Sequence, residues 1–152
     1  MNKMIVACDP GQAGAVAVIY PNGSLDTWKM PQTEHDTFSM MSEIKDKAEM
    51  EGYTMLGYIE KIHSMPGQGV SSSFKFGYNY GIIRMAFVGN KIPFEEISPQ
   101  KWQKALGITK SDSKTQHKNK LKGLAQQLYP DTKMTLAIAD AVLIAHYGLK
   151  QK

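Results

Sequence analysis

Two short apolar runs, Met4-Ile5-Val6-Ala7-Cys8 and Ala15-Val16-Ala17-Val18-Ile19-Tyr20, stand near the start of the chain with Asp9-Pro10-Gly11-Gln12-Ala13-Gly14 between them. Runs this short, bounded by Pro and Gly, read as buried strands, and the Pro-Gly pair reverses the chain between them. The expectation is a pair of strands over 4–9 and 14–20, with Asp9 where the first strand leaves the sheet. Asn22-Gly23 is a strong hairpin signal and adds a third antiparallel strand over 24–30, which Pro31 ends. A carboxylate at the rim of such a sheet has a rigid support, which is how a metal-dependent phosphoryl-transfer site often begins.

Downstream the pattern changes period. Phe38, Met41, Ile44, Ala48 and Met50 recur at helical spacing between about His35 and Glu51, and Gly52 is a stop signal. Thr54 to Glu60 reads as a fourth strand, parallel to the first if the helix before it is a crossover. The Gly- and Ser-rich loop Ser64-Met65-Pro66-Gly67-Gln68-Gly69-Val70-Ser71-Ser72-Ser73 leads into a helix from about Ser72 to Gly89, and Lys91 to Ile97 into a fifth strand. Ser98-Pro99 opens a helical turn, Ser113 to Leu128 a basic helix, and Thr135 to Leu149 an apolar helix carrying one acid, Asp140. The predicted class is α/β: a five-stranded mixed sheet, three antiparallel strands and then two parallel, flanked by helices.

The chain has 152 residues, 42% hydrophobic and 21% charged, which suits one globular domain over 1–152. No run approaches the roughly 18 apolar residues of a membrane span, and the first apolar segment is too short for a secretory signal core. A lone Cys8 excludes an internal disulfide and a cysteine-based zinc site. The expected setting is reducing and cytoplasmic, with no membrane partner. The net charge of +4 permits nucleic-acid binding without requiring it. The excess is concentrated: Lys101, Lys104, Lys110, Lys114, Lys118, Lys120 and Lys122 face one acid, Asp112. Such a run is either a solvated helix face or a phosphate-contacting surface.

Side chains alternate along a strand, so Ile5, Ala7 and Asp9 share one face and Leu56, Tyr58 and Glu60 another. Asp9 and Glu60 then stand at the C-terminal ends of neighbouring parallel strands, where open α/β sheets place ligand sites. Asp140 sits within Leu136-Ala137-Ile138-Ala139-Asp140-Ala141-Val142-Leu143-Ile144-Ala145, too apolar a helix to bury an unpaired charge cheaply. Each acid has a plain alternative: Asp9 capping a turn, Glu60 paired with Lys61, Asp140 on an exposed stripe. Together they suit two Mg²⁺ or Mn²⁺ ions, hard cations that take oxygen ligands, clamping the two oxygens of a phosphodiester displacement.

Four segments, in order, resemble RuvC-like Holliday junction resolvases of the ribonuclease-H-like superfamily, particularly the small phage-encoded branch. They are Ala7-Cys8-Asp9-Pro10-Gly11-Gln12-Ala13-Gly14, Ile59-Glu60-Lys61-Ile62-His63-Ser64-Met65-Pro66-Gly67-Gln68-Gly69, Phe76-Gly77-Tyr78-Asn79-Tyr80-Gly81, and Ala139-Asp140-Ala141-Val142-Leu143-Ile144-Ala145. The resemblance implies a homodimer that cuts four-way junctions with divalent metal, with Asp9, Glu60 and Asp140 as catalytic metal ligands. It implies a dimer-axis helix carrying Phe74, Phe76, Tyr80 and Ile83, although plain core is the alternative for these residues. A base-unstacking wedge near the loop is also implied, with Met65 and Phe74 as candidates. Lys101, Lys104, Lys110, Lys114 and Lys118, with Gln68 and Ser72, become DNA contacts that position the substrate without reading its sequence. Trp102 reads as a packing anchor, His117 as an ordinary surface residue, and Cys8 as a buried small hydrophobe on the opposite face from Asp9.

One departure stands out. The family usually has a fourth ligand about one helical turn before the last aspartate, and this chain has Ala137 and Leu136 there. Asp131 lies beyond a proline, and His146 falls elsewhere on the helix. Either three carboxylates suffice with more water, or activity is reduced, naturally or by substitution. The rival functions are a general ribonuclease-H-like nuclease and a junction-binding protein that does not cut. An actin-like ATPase fragment shares the Asp-Pro-Gly start, but 152 residues leave no room for its second domain.

Overall fold

The computed structural model of the chain describes residues 2–63 and 65–151; Ser64, in the Gly- and Ser-rich loop, lies outside them. Strands β1 (Lys3–Asp9), β2 (Ala15–Ile19), β3 (Leu25–Lys29), β4 (Thr54–Glu60) and β5 (Phe94–Ile97) form one sheet in the order β3-β2-β1-β4-β5. The β1–β2 and β2–β3 pairs are antiparallel, and the β1–β4 and β4–β5 pairs are parallel. This is the mixed sheet that the strand and turn signals predict. Around it lie α1 (Glu34–Met50), α2 (Val70–Gly89), α3 (Pro99–Ala105), α4 (Lys114–Leu128) and α5 (Leu136–Leu149).

Local chemistry accounts for the element ends. Thr33, Ser98, Ser113 and Thr135 each accept an amide N–H from the first turn of α1, α3, α4 and α5. The fifth strand is shorter than the expected 91–97. Lys91 takes a positive φ of 54°, and Pro93 has no N–H, so it joins the sheet only by accepting the Gly57 N–H at 2.7 Å.

The sheet is apolar on both faces because helices cover both. Ile5, Ala7, Ala17, Ile19 and Tyr58 pack with Trp102 and α5 on one side; Met4, Val6, Cys8, Val18 and Ile59 pack with Met41, Ile44, Ile83 and Phe87 on the other. That double burial explains why β1 and β2 read as nearly continuous apolar runs rather than alternating ones. It also corrects one expectation: Ile83, assigned to a dimer surface, is only 2% exposed and belongs to the chain's own core. Phe74 and Phe76 are exposed, and Tyr80 is half-buried. Among the described residues no helix is long and apolar enough to cross a membrane.

α5 lies close over the sheet because of Gly148. A Cβ there would fall 2.4 Å from the Tyr58 ring and 2.9 Å from Ile5, while the neighbouring Tyr147 meets Tyr58 edge-on at 5.7 Å. This approach sets the height of Asp140, about two turns earlier on the same helix. Gly148→Ala is expected to lower stability by about 1–3 kcal/mol through overpacking, despite the better helix propensity of Ala. Urea denaturation checks this, and an unchanged midpoint would mean that α5 has room to shift.

Candidate active site

Three elements converge at the C-terminal edge of the parallel β1–β4 pair. Cys8 lies opposite Ile59 in the ladder, so the next residues, Asp9 and Glu60, end side by side. After Asp9 the chain folds back sharply: Gly11 has a φ of 116°, and the Gly14 N–H donates to the Gly11 carbonyl at 3.1 Å. A Cβ on Gly14 would sit 1.9 Å from the Asp9 carbonyl oxygen, so only glycine permits this return. Asp140 arrives from α5, 7% exposed.

Each of the latter two acids has one oxygen committed and both commitments come from elements flanking the edge. The Trp102 indole N–H donates to Glu60 Oε2 at 2.7 Å. Trp102 is fully buried on α3, whose first turn is fixed by Ser98 and by Pro99. The Lys118 ammonium, from α4, donates to Asp140 Oδ2 at 2.8 Å, while Asp140 Oδ1 is buried with no hydrogen-bond partner among the described residues. Of the two structural possibilities open for Asp140 in the sequence, solvent exposure is thereby excluded; it is buried and bonded to a cation.

The electrostatics follow from this crowding. Asp9 is held well above the usual carboxylate range, first by burial and then by the negative charges of Glu60 and Asp140, with Lys118 partly offsetting them. Glu60 is pushed up to about 7 by burial, against the Trp102 hydrogen bond, with Asp140 adding to the rise and Lys118 opposing it. Burial alone would lower the Lys118 pKa; the bond to Asp140 and the charges of Asp140, Asp9 and Glu60 override it and raise the value. Four groups from four elements therefore share one electrostatic environment. Among the described residues no three of His, Cys, Asp and Glu converge tightly enough to enclose an ion.

The other singled-out residues fall around this centre. Lys101 and Lys104 are exposed on α3, and Lys110 and Lys114 are exposed in the loop before α4 and at its first position. Lys118, grouped with them as a phosphate contact, instead turns its ammonium to Asp140. Gln68 is tied to its own loop, its Oε1 accepting the Met65 N–H at 3.1 Å, and Ser72 is exposed at the start of α2. His117 links Ser111 and Gln103, which fastens α4 to α3. Ala137 is partly exposed one turn before Asp140, Asp131 is exposed, and His146 Nδ1 lies 2.9 Å from the Tyr129 hydroxyl. Cys8 is buried on the face opposite Asp9, and burial raises its thiol pKa. The link from Trp102 to Glu60 and the one from Lys118 to Asp140 escaped sequence reasoning. The only available signals were a tryptophan just after a Ser-Pro helix start and a lysine in a basic helix.

No protein-family description matches the sequence, and neither does any curated protein. Solved structures do. A structure of RuvC from Thermus thermophilus superposes with a TM-score of 0.60 at 14% identity, covering 95% of this chain and 92% of that one. A structure of the T. thermophilus RuvC in complex with Holliday junction substrate gives 0.62 at 12% identity, covering 95% and 91%. At such identities the likeness is one of fold, and it spans nearly the whole of both chains. The chain has the RuvC-like, ribonuclease-H-like α/β fold: a mixed five-stranded sheet flanked by helices.

Proposed function

We propose that this chain is a divalent-metal-dependent endonuclease of branched DNA, with four-way junctions as its foremost substrate. In this reading it works as a homodimer of one-domain protomers. The observation that carries the reading is the meeting of Asp9, Glu60 and Asp140 at one sheet edge, each from a different element and each within the electrostatic reach of another. The donor set is all oxygen, which suits Mg²⁺, with Mn²⁺ as a substitute. Asp140 Oδ1, buried without a donor among the described residues, is the orphan such an ion would satisfy. Bound divalent ions would supply Lewis-acid polarisation, favouring attack by water on phosphorus and offsetting charge on the departing oxygen.

The chain's own part is holding and positioning. Asp9, Glu60 and Asp140 are the ligands, and Trp102 engages Glu60 Oε2, which leaves Oε1 as the oxygen not taken by that bond. Lys101, Lys104, Lys110 and Lys114 ride on α3, on α4 and on the loop between them, the helices that contribute Trp102 and Lys118. They would grip phosphates on the junction arms. Gln68 and Ser72 would meet the strands near the junction centre, with Met65 or Phe74 as the wedge; both are exposed, Phe74 at 76%. Phe74, Met85 and Val88, exposed on one face of α2, offer the apolar surface a second protomer would cover, whereas Phe76 and Tyr80 lie on the side of Ile83, Tyr80 packed against the chain's own core. Ala137 favours a second reading, a protein that binds junctions and cuts weakly or not at all.

A synthetic four-way junction incubated with Mg²⁺ should be cut symmetrically, while linear duplex and RNA–DNA hybrid should not. Asp9→Asn and Glu60→Gln should each reduce cleavage by at least about a hundredfold. Cleavage that survives both changes would place the site elsewhere, and tight junction binding without cleavage by the parent chain would establish the second reading. Ala137→Asp should raise cleavage most at low Mg²⁺; an equal rate at every metal concentration would show that position 137 does not limit the site.

The raised Glu60 pKa gives a further check. The folded state holds a proton that the unfolded chain releases near 4.5, so this contribution to stability is fully present below about pH 4.5 and is lost as pH rises through about 7. In EDTA, the stability of the parent chain relative to Glu60→Gln should therefore fall between about pH 5 and pH 8. Added Mg²⁺ should restore more stability at about pH 8 than at about pH 5.5, because ligands must be deprotonated. Thermal melts over this range would contradict the assignment if the two proteins changed in parallel.

A further inference from the structure

We propose that Lys118 is a resident counter-ion of the acidic cluster: it holds the cluster together when no divalent ion is present and competes with such an ion for Asp140. The inference rests on the reading of Asp9, Glu60 and Asp140 as ion ligands and adds a control over how tightly they bind.

Three observations carry it. The Lys118 ammonium is 2.8 Å from Asp140 Oδ2, whose side chain is only 10% exposed, so this is the one cation bonded to the deepest acid of the cluster among the described residues. Its charge also lies within electrostatic reach of Asp9 and Glu60. Thus a single positive charge offsets three carboxylates drawn from three elements. Finally, Asp140 Oδ1 is left buried and unpartnered among the described residues, so the lysine satisfies only half of the carboxylate.

These facts fit a placeholder better than a permanent structural pair. A permanent buried pair would use both carboxylate oxygens and would itself be enclosed, since an unsatisfied buried oxygen costs free energy. The Lys118 side chain is instead 52% exposed and is carried on a four-carbon stem with several rotatable bonds. Its ammonium can leave toward solvent while α4 stays packed on α5 through Leu121 and Ala125. While it stays, the approaching ion meets a like charge at short range, and Asp140 Oδ2 is unavailable. The absence of an acid at Ala137 adds to the effect, because no fourth carboxylate offsets the lysine. The predicted consequence is a site whose metal affinity is set lower than three carboxylates alone would make it.

The test is direct Mn²⁺ binding, read as loss of the free-ion electron paramagnetic resonance signal, alongside thermal melts with and without Mn²⁺. Lys118→Met should bind Mn²⁺ at least about tenfold more tightly than the parent chain, since a like charge at contact distance has gone. Its metal-free form should melt lower, and its Mn²⁺-induced shift in melting temperature should be larger. Lys118→Arg keeps the charge and grips a carboxylate through two N–H groups, so its Mn²⁺ affinity should not exceed that of the parent. If Lys118→Met does not fold even with Mn²⁺, Lys118→Gln, uncharged and still able to donate to Asp140, makes the same comparison. Unchanged or weaker Mn²⁺ binding in the uncharged variant overturns the proposal and leaves Lys118 as a phosphate contact or a structural partner. Asp9→Asn and Glu60→Gln separate the two levels: if they leave Mn²⁺ binding intact in both lysine backgrounds, the carboxylate site itself is wrong. If they weaken it while Lys118→Met has no effect, only the counter-ion role fails.

Discussion

Mutual repulsion among desolvated carboxylates is the constraint around which this molecule is arranged. The parallel ladder of β1 and β4 forces Asp9 and Glu60 to finish side by side, and α5 brings Asp140 within electrostatic reach of both. Like charges in a partly dry setting raise one another's pKa and push the structure apart unless something positive or polar intervenes. Here two side chains intervene. The Trp102 N–H takes one oxygen of Glu60, and the Lys118 ammonium takes one oxygen of Asp140. The placing of α3 and α4 is thus tied to the site's electrostatics as well as to apolar burial.

The fold supplies rigidity at the places where this repulsion must be resisted. β1 and β2 are buried on both faces, so Asp9 extends from a strand whose side chains are packed into two layers, and a one-residue slip would interchange the two sets and spoil the packing of both. The return of the chain at Gly14 presses on the Asp9 carbonyl, and Gly148 brings the far end of α5 down onto Tyr58 and Ile5. Both contacts are steric, and both exist only because a side chain is missing.

Much of this was legible in the residues themselves. The Pro-Gly and Asn-Gly turns and the two-residue alternation lead to the sheet and to the adjacency of Asp9 and Glu60, because strand geometry is local and periodic. Three helix starts were legible for the same reason: Ser98, Ser113 and Thr135 cap within their own first turns. What stayed hidden depends on how elements pack. Ile83 reads as one more apolar residue on a long helix, and only the seating of α2 on the sheet turns it inward. Lys118 is one lysine among seven between positions 101 and 122, and only the meeting of α4 with α5 singles it out. The link from Trp102 to Glu60 spans 42 residues and carries no spacing signal.

That link also ties together two properties that proteins usually vary separately. Trp102 heads the largest side chains that are fully enclosed, so it is a principal filler of the core beneath α5. It is at the same time the group that turns one Glu60 oxygen aside. Phe would keep an apolar ring but lose the donor and leave a gap, and His would keep a donor but leave a larger void. A single substitution at this position therefore alters the packing beneath α5 and the setting of Glu60 at the same time.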